Sequence, residues 1–453
     1  MSGASRIAPH DQPRPGPAED NTYLLFTRAA FTMAFGGGFL LALLLPLANV
    51  LDWNWGARWP ALAQAHGHLQ LLGWAGLFIF GMAYRLIPRV SGTSLRLSRL
   101  AVPSGALLVA GLALRPFAQT WIDRPAMRAL LPVSGVLEAL AGLTFAAVVF
   151  ATLRARRRSP PSLLFFASGT VWLVAALALQ ALWLGDMARD ETPVLSVLRD
   201  DALVTILFLG FVLGFIHAVA LRTMPTFYAR PMPGYGSVTP LWTALNGGVA
   251  LFLAGRLWQE YAGSRETWPV NAGLALAGVA LMAGAWLTGG VQGVAIRLRP
   301  SSRINALFLR SMALWLLGAG GFLTFVSLRA LTRDEPIAFT DLDAFRHMLA
   351  LGVVTMIIAG MASLITPVMA ARRYGGVAER WLVWVAALLN IAAAARLAGA
   401  LLDPVARFDE RWWLMAGAAA AGIAGLAIFA RPFVLPQRTA MPVLPVAHPP
   451  AED

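Results

Sequence analysis

Four of the six histidines lie inside long apolar stretches of the sequence: His66, His68, His217 and His347. The other two, His10 and His448, lie in the polar ends of the chain. Ionisable side chains within a membrane are rare and usually functional. The alternative is a neutral histidine bonded to a neighbouring helix. That alternative suits a lone residue such as His217 better than two histidines within one turn.

The spacing of His66 and His68 predicts where they point. A helix turns about 100° per residue, so residues i and i+2 point about 200° apart. These two histidines therefore face opposite sides of one helix, whereas two ligands of one metal ion are typically spaced i, i+4. His66, His68 and His347 are predicted near the same end of their segments, and His217 about 22 Å into its own.

Three histidines at one level on two helices can bring two imidazoles to one planar cofactor. The chain has no cysteine, which excludes disulfides, iron–sulfur clusters and thiol nucleophiles, so a haem must be held by His, Met or Tyr. The prediction is a haem b with axial histidines, and His66, His68, His217 and His347 are the candidate metal ligands. His68 is favoured over His66 as the partner of His347, because it lies about 3 Å deeper, where water competes less.

Four other charged residues within the apolar segments are candidates for a functional role. Arg115, Arg256 and Arg396 each lie near one end of an apolar segment, and they are the predicted partners of the haem propionates, since a guanidinium bonds a carboxylate through two donors. Snorkelling to the membrane interface is the alternative. Glu138 lies in the middle of a segment; it can transfer protons, but a structural hydrogen bond is favoured.

The composition indicates a membrane protein. The chain has 453 residues, of which 58% are apolar and 13% charged, with a mean hydropathy of +0.65; soluble proteins carry about 25% charged residues. Twelve segments are long enough to span a bilayer as helices. They lie near residues 29–51, 61–88, 99–118, 129–153, 162–186, 202–225, 239–258, 269–291, 305–329, 345–370, 381–402 and 413–432.

The loops alternate in charge. All 36 basic residues are arginines, and they are concentrated after the even-numbered segments, whereas the acids are concentrated in the opposite loops. The positive-inside rule then predicts a multi-pass membrane protein with both termini in the cytoplasm. The arginines are explained by this orientation in lipid, and nucleic acid is not expected as a partner. Residues 1–24 and 435–453 are predicted to be disordered tails around a membrane domain of residues 25–434.

The segments repeat in groups of four. Segments 2, 6 and 10 each end with a proline near their cytoplasmic side, in GMAYRLIPRV (81–90), HAVALRTMPTF (217–227) and GMASLITPVMAARR (360–373). Segments 3, 7 and 11 each carry one of the three arginines near the outer end. The fold class predicted is an all-α membrane protein with twelve helices in three pseudo-repeated groups of four.

The stretch from His66-Gly67-His68 through Gly73-Trp74 and Phe80-Gly81-Met82-Ala83-Tyr84 to Pro88-Arg89 resembles the HxH helix of the catalytic subunit I of C-type haem-copper oxidases. In that family the two histidines serve haems on opposite faces of one helix, and twelve helices form three arcs of four. The chain lacks the adjacent histidine pair of that family's copper site. A complete oxygen or nitric oxide reductase site is therefore not expected.

A second resemblance is to the NnrS family, twelve-helix membrane proteins of the bacterial response to nitric oxide that are described as containing haem and copper. It rests on the histidines near the start of segment 2 and on His347-Met348-Leu349-Ala350-Leu351-Gly352 with Met356. This resemblance implies haem, copper and nitric oxide as ligands, and His66, His68 and His347 as haem ligands. If the protein is an enzyme, the resemblance implies an oxidoreductase acting on nitric oxide or oxygen at haem.

Two other functions fit the helix count. A twelve-helix secondary transporter has the same number of helices and the same placement of termini. Against it, the loop from Arg89 to Arg99 contains no acidic residue, whereas the signature of the major facilitator transporters has an aspartate there. A haem-less scaffold for oxidase assembly is the third hypothesis. The sequence does not identify an electron-transfer partner or an oligomeric state.

Overall fold

The computed structural model describes residues 17–228, 230–292, 303–369, 379–402, 405 and 407–434. Among these residues, twelve helices are long and apolar enough to cross a membrane, and no strand occurs. In chain order the helices are α1 (Thr22–Val50), α2 (Arg58–Ser91), α3 (Ser98–Thr120), α4 (Pro125–Arg154), α5 (Leu163–Asp190), α6 (Val197–Phe227), α7 (Tyr235–Ala262), α8 (Trp268–Leu287), α9 (Asn305–Arg333), α10 (Phe339–Ser363), α11 (Arg380–Leu401) and α12 (Phe408–Arg431).

The prediction of an all-α membrane protein is confirmed, and each helix overlaps its predicted segment. Most of the helices begin before their predicted apolar runs, because flanking polar residues continue the backbone hydrogen bonding. Helical structure already begins at Pro17, inside the segment predicted as an N-terminal tail. Residues 1–16 and 435–453, the rest of the predicted tails, lie outside the described residues.

Helices α2, α6 and α10 form the centre of the bundle. In their most apolar stretches 78%, 89% and 78% of the residues are buried, against 33–61% in the other nine. The outer helices instead expose large apolar side chains, such as Phe117, Leu182 and Phe325. Without water in the bilayer core, such side chains face lipid at no cost. Side chains on the three central helices therefore meet other protein groups on nearly every face.

Each central helix contains a π-helical segment, in which the backbone bonds from i to i+5: Leu69–Gly76 in α2, Ile206–Val212 in α6 and Met348–Thr355 in α10. Each segment begins immediately after a polar residue, His68, Thr205 or His347. Segments of this kind are frequent at functional sites, because they turn the following side chains to a new direction. These three recur at intervals of four helices, which is the interval of the predicted repeat, but α1 also contains a π-helical segment, Ala34–Gly38. The repeat itself and the likeness to oxidase subunit I stay predictions.

Glycines allow two pairs of neighbouring helices to pack backbone to backbone. A Cβ on Gly248 of α7 would lie 2.6 Å from the carbonyl oxygen of Gly273 in α8, and one on Gly273 would lie 2.6 Å from that of Gly248. Gly278 of α8 and Gly320 of α9 oppose each other in the same manner, at 2.8 and 2.7 Å. Small residues of this kind are the usual means of close helix association in membranes.

We expect Gly273→Ala to destabilise the protein by about 1–3 kcal/mol, because the new methyl group collides with rigid backbone of α7. Gly247→Ala is the matched control on α7, since the nearest atom to its new Cβ is 4.0 Å away, in Leu276. Both changes favour the helix equally. The free energy of unfolding in detergent measures the difference, and equal stability of the two variants would contradict the packing described.

Candidate functional site

His66 of α2 and His347 of α10 face each other. Their ring centroids are 6.5 Å apart and their planes differ by only 8°. Each residue lies eight positions after the first residue of its helix, about 12 Å along the helix axis. The sequence analysis placed His347 at the beginning of its helix, but α10 starts at Phe339, two turns earlier. Because His66 and His347 lie equally far from the start of their helices, His66 is at the depth of His347, and His68 lies deeper.

Hydrogen bonds fix the tautomer of both rings. The Nδ1 of His66 donates to the carbonyl oxygen of Gly38 in α1, at 2.8 Å, and the Nδ1 of His347 donates to the carbonyl oxygen of Asp343, at 2.8 Å. A carbonyl oxygen can only accept, so the proton of each neutral ring is on Nδ1. The Nε2 lone pair is left free on both histidines, and neither Nε2 has a hydrogen-bond partner among the described residues. Neutral imidazole with a free Nε2 is a common metal ligand.

His68 points to the opposite side of α2, as the i, i+2 spacing predicts. Its Nε2 donates to the Oε2 atom of Glu138 in α4, at 2.6 Å. Both side chains are buried, with Glu138 fully inaccessible. His66, and not His68, therefore faces His347 in this structure; the geometry favours the other residue of the pair from the one favoured by depth in the sequence analysis, which did not include the rotation of the helix.

The His68–Glu138 pair is one end of a buried polar network. Gln180 of α5 donates to Glu138 at 2.8 Å and accepts from Arg115 of α3 at 2.8 Å. The Nε of Arg115 donates to Gln119 at 3.4 Å. From there the network reaches the loop between α5 and α6, since Gln119 donates to Gln64 and to the Pro193 carbonyl oxygen, at 2.9 and 3.0 Å. Arg115 is thus bonded within the protein and is not directed to the His66–His347 pair.

Arg256 and Arg396 are paired with aspartates on the central helices. Arg256 of α7 donates to Asp201 of α6, at 2.6 Å from Nε, and Asp201 also binds Arg346 of α10. Arg396 of α11 donates from Nη2 to both carboxylate oxygens of Asp343, at 3.0 and 2.8 Å. The Nη1 atom of Arg396 is buried and has no partner among the described residues. Of the three arginines predicted to bind propionates, only Arg396 lies beside the histidine pair with a donor free.

His217 lies apart from the other histidines. Its Nδ1 donates to the Leu213 carbonyl oxygen at 2.7 Å, and its ring stacks on Phe165 with a centroid distance of 5.3 Å. The Nε2 atom is buried against Gly284, where a side chain would collide with it, and it has no partner within the described part of the chain. His217 is thus bonded only within α6 and not to a neighbouring helix, and its role as a metal ligand stays a prediction.

A small apolar cavity lies between the central helices, near the level of His217. It has a volume of about 70 Å³ and is lined by apolar side chains of α2, α5, α6 and α10, among them Phe78, Phe166, Phe215 and Met361. Phe78 is 12 residues beyond His66, about 18 Å along the helix. The three π-helical segments therefore lie between the histidine pair and this cavity. Apolar cavities of this kind stay dry and accept small apolar molecules.

Two important residues were missed from the sequence. Asp343 was assigned to an outer loop and Asp201 was not singled out, because α6 and α10 begin earlier than their apolar runs suggest. The signal available was the i, i+4 spacing of Asp343 and His347, which places both on one face of a helix. The described residues bring no three His, Asp or Glu side chains together as a metal cluster.

The fold and the site define a class of protein: an all-α, multi-pass membrane protein in which two central helices hold a pair of parallel imidazoles. A family model described as NnrS protein matches residues 25–438, nearly the whole chain. The chain therefore belongs to the NnrS family. None of the curated proteins compared with it matches the sequence.

Proposed function

We propose that this protein is a haem-binding protein of the bacterial inner membrane that acts in the response to nitric oxide. The observation that carries the proposal is the His66–His347 pair, with parallel rings and two free Nε2 atoms. The connection with nitric oxide follows from the properties expected of the NnrS family. The apolar cavity between α2, α6 and α10 is consistent with a small, uncharged ligand.

The distance between the rings fits one metal ion between them. Bonds of about 2 Å from a metal to an imidazole nitrogen on each side place the two centroids about 6 Å apart, close to the 6.5 Å separation of His66 and His347. The free Nε2 atoms are the donors that such a metal requires. Haem b is the cofactor that we propose, and His66 and His347 are the residues that would hold it.

Unpaired donors nearby fit the carboxylates of a porphyrin. The Nη1 of Arg396, the Nε of Arg411 and the Nε1 of Trp412 are buried without a hydrogen-bond partner among the described residues. Arg411 lies within electrostatic range of Asp343 and Arg396. A buried donor left unpaired costs about 1–3 kcal/mol, and a propionate would satisfy it. Arg115 and Arg256 are already bonded and have no part in this proposal.

The haem and the protein chain would make different contributions to the proposed function. A bound haem supplies electron exchange at its iron. The chain supplies two imidazoles whose Nδ1 atoms are bonded to the carbonyl oxygens of Gly38 and Asp343, and an apolar surrounding that limits water. Among the described residues no three His, Asp or Glu side chains are grouped so that they could hold a metal ion, and copper, which the family resemblance implies, is not part of this proposal. No step of the proposal therefore depends on copper.

The visible spectrum of the protein purified in detergent tests the proposal. We expect a Soret band and, after reduction, sharp α and β bands typical of a low-spin haem with two axial histidines. A strain without the protein should also grow more slowly than its parent in the presence of a nitric oxide donor. Protein that stays colourless after reconstitution with haem would exclude the proposed function.

The orientation in the membrane is also a proposal, based on the charges of the loops. We expect alkaline phosphatase, which is active only in the periplasm, to be inactive when fused after Asp453 and active when fused after Gly263, in the loop between α7 and α8. Equal amounts of both fusions, checked by immunoblot, provide the control. An active fusion at Asp453 would reverse the topology and place the histidine pair at the cytoplasmic side.

A further inference from the structure

His347 is bonded to a carboxylate, whereas His66 is bonded only to the backbone. The Nδ1 of His347 lies 3.2 Å from the Oδ1 of Asp343 in addition to its bond to the Asp343 carbonyl oxygen. Arg396 holds both oxygens of this carboxylate from the neighbouring helix α11. The three side chains are 15–22% exposed, so the chain of contacts is shielded from most of the solvent.

The same arrangement occurs in α6 without a histidine. Asp201 and Asp343 each lie four residues after the start of their helix, and each binds an arginine of the next helix, Arg256 or Arg396. Four residues further on, the place of His347 is taken by Thr205, whose hydroxyl donates to Asp201 at 3.4 Å. The aspartate–arginine pair therefore joins neighbouring helices even where no imidazole is present. In α10 it does so while also contacting a candidate metal ligand.

We propose that Asp343 and Arg396 are positioning residues that fix the ring of His347 and set the reduction potential of the haem. This inference rests on the proposed function. A carboxylate on the remote nitrogen of a metal-binding histidine orients the ring and makes it a stronger donor. A stronger donor stabilises ferric iron, and Arg396 offsets part of this effect by drawing charge from the carboxylate.

The charges of Asp343 and Arg396 predict opposite changes of the haem reduction potential in two conservative variants. Asp343→Asn keeps the shape of the side chain and removes its negative charge, so Arg396 is left as an uncompensated positive charge near the iron. Ferrous haem should then be favoured. Arg396→Gln leaves Asp343 uncompensated beside His347, so ferric haem should be favoured. Loss of packing alone would shift both variants in the same direction.

Potentiometric titration of the haem spectrum measures these shifts. We expect Asp343→Asn to move the ferric-to-ferrous equilibrium at least tenfold toward ferrous haem, a rise of about 59 mV for one electron, and Arg396→Gln to move it in the opposite direction. The double variant should return to within about threefold of the wild type. Asp341→Asn, on the same helix but paired with Arg329, is the charge control, and Asp201→Asn is the control for loss of an aspartate–arginine pair.

The outcomes separate the inference from the function on which it rests. Wild-type protein without haem excludes the proposed function. Wild-type protein with haem, together with unchanged potentials in both single variants, overturns only the inference. Shifts of the same sign, or an equal shift in Asp341→Asn, also overturn it. If Asp343→Asn fails to accumulate, Arg396→Gln and the double variant still decide the sign.

Discussion

Replacement of either His66 or His347 by alanine is expected to abolish the low-spin spectrum of the haem. Each residue supplies one of the two Nε2 atoms left free by the bonds of Nδ1, so one deletion would leave a single ligand for the haem. The variants should be high-spin or haem-free, with at least a tenfold loss of haem retained through purification. Absorption spectra and haem-to-protein ratios measure both effects.

His68→Ala and His217→Ala are the matched controls, because they remove a buried imidazole from the same central helices. His68 is directed to Glu138 and His217 to Leu213, so the low-spin spectrum should persist in both. A low-spin spectrum in His347→Ala would contradict the assignment whatever the helix α2 variants show. Loss of the spectrum in His68→Ala, with retention in His66→Ala, would restore the pairing favoured from the sequence.

The second large effect concerns Glu138. Glu138→Leu should lower the free energy of unfolding by about 3–5 kcal/mol, because removing one partner of a buried ionic network leaves the others uncompensated. Arg115 would lose its electrostatic attraction to Glu138, and His68 and Gln180 would lose their acceptor. Unfolding of the purified protein in mixed micelles, followed by circular dichroism, measures the change.

Two further variants serve as comparisons for the loss of stability in Glu138→Leu. Glu138→Gln retains an oxygen that can accept from His68 or Gln180, so it should cost less than Glu138→Leu. Glu410→Gln removes the same charge from a pair with Arg407 in which both side chains are more than half exposed, and it should change stability by less than about 1 kcal/mol. A Glu138→Leu variant as stable as Glu410→Gln would show that the network contributes no stability.

The sequence was sufficient to predict the twelve helices and one geometric relation in the site, the opposite directions of His66 and His68. Apolar runs of about 20 residues located all twelve spans, and the angle between i and i+2 separated His66 from His68. Both follow from local geometry, since they concern residues on one helix. The all-α membrane class follows from the same local information, because lipid leaves the backbone few other ways to satisfy its hydrogen bonds.

The pairing across helices could not be predicted, because it depends on rotations that no local pattern records. The π-helical segments change the direction of everything that follows them, and they have no clear signature in the sequence. The positions of Arg115, Arg256 and Arg396 were recognised, but their partners were not. The partners Gln180, Asp201 and Asp343 lie on other helices, and a propionate is as good an acceptor for arginine as either aspartate.

The contact between Asp201 and Arg346 has a consequence for the biosynthesis of the protein. The two residues are 145 positions apart, so at about 5–20 residues per second the ribosome needs roughly 7–30 s to supply the second after the first. Until α10 is made, the partners of Asp201 among the described residues are Arg256 and Thr205. Nascent chains arrested before α10 should therefore be the ones that the cell's membrane quality control degrades, and the late helices act as the last step of insertion for the early ones.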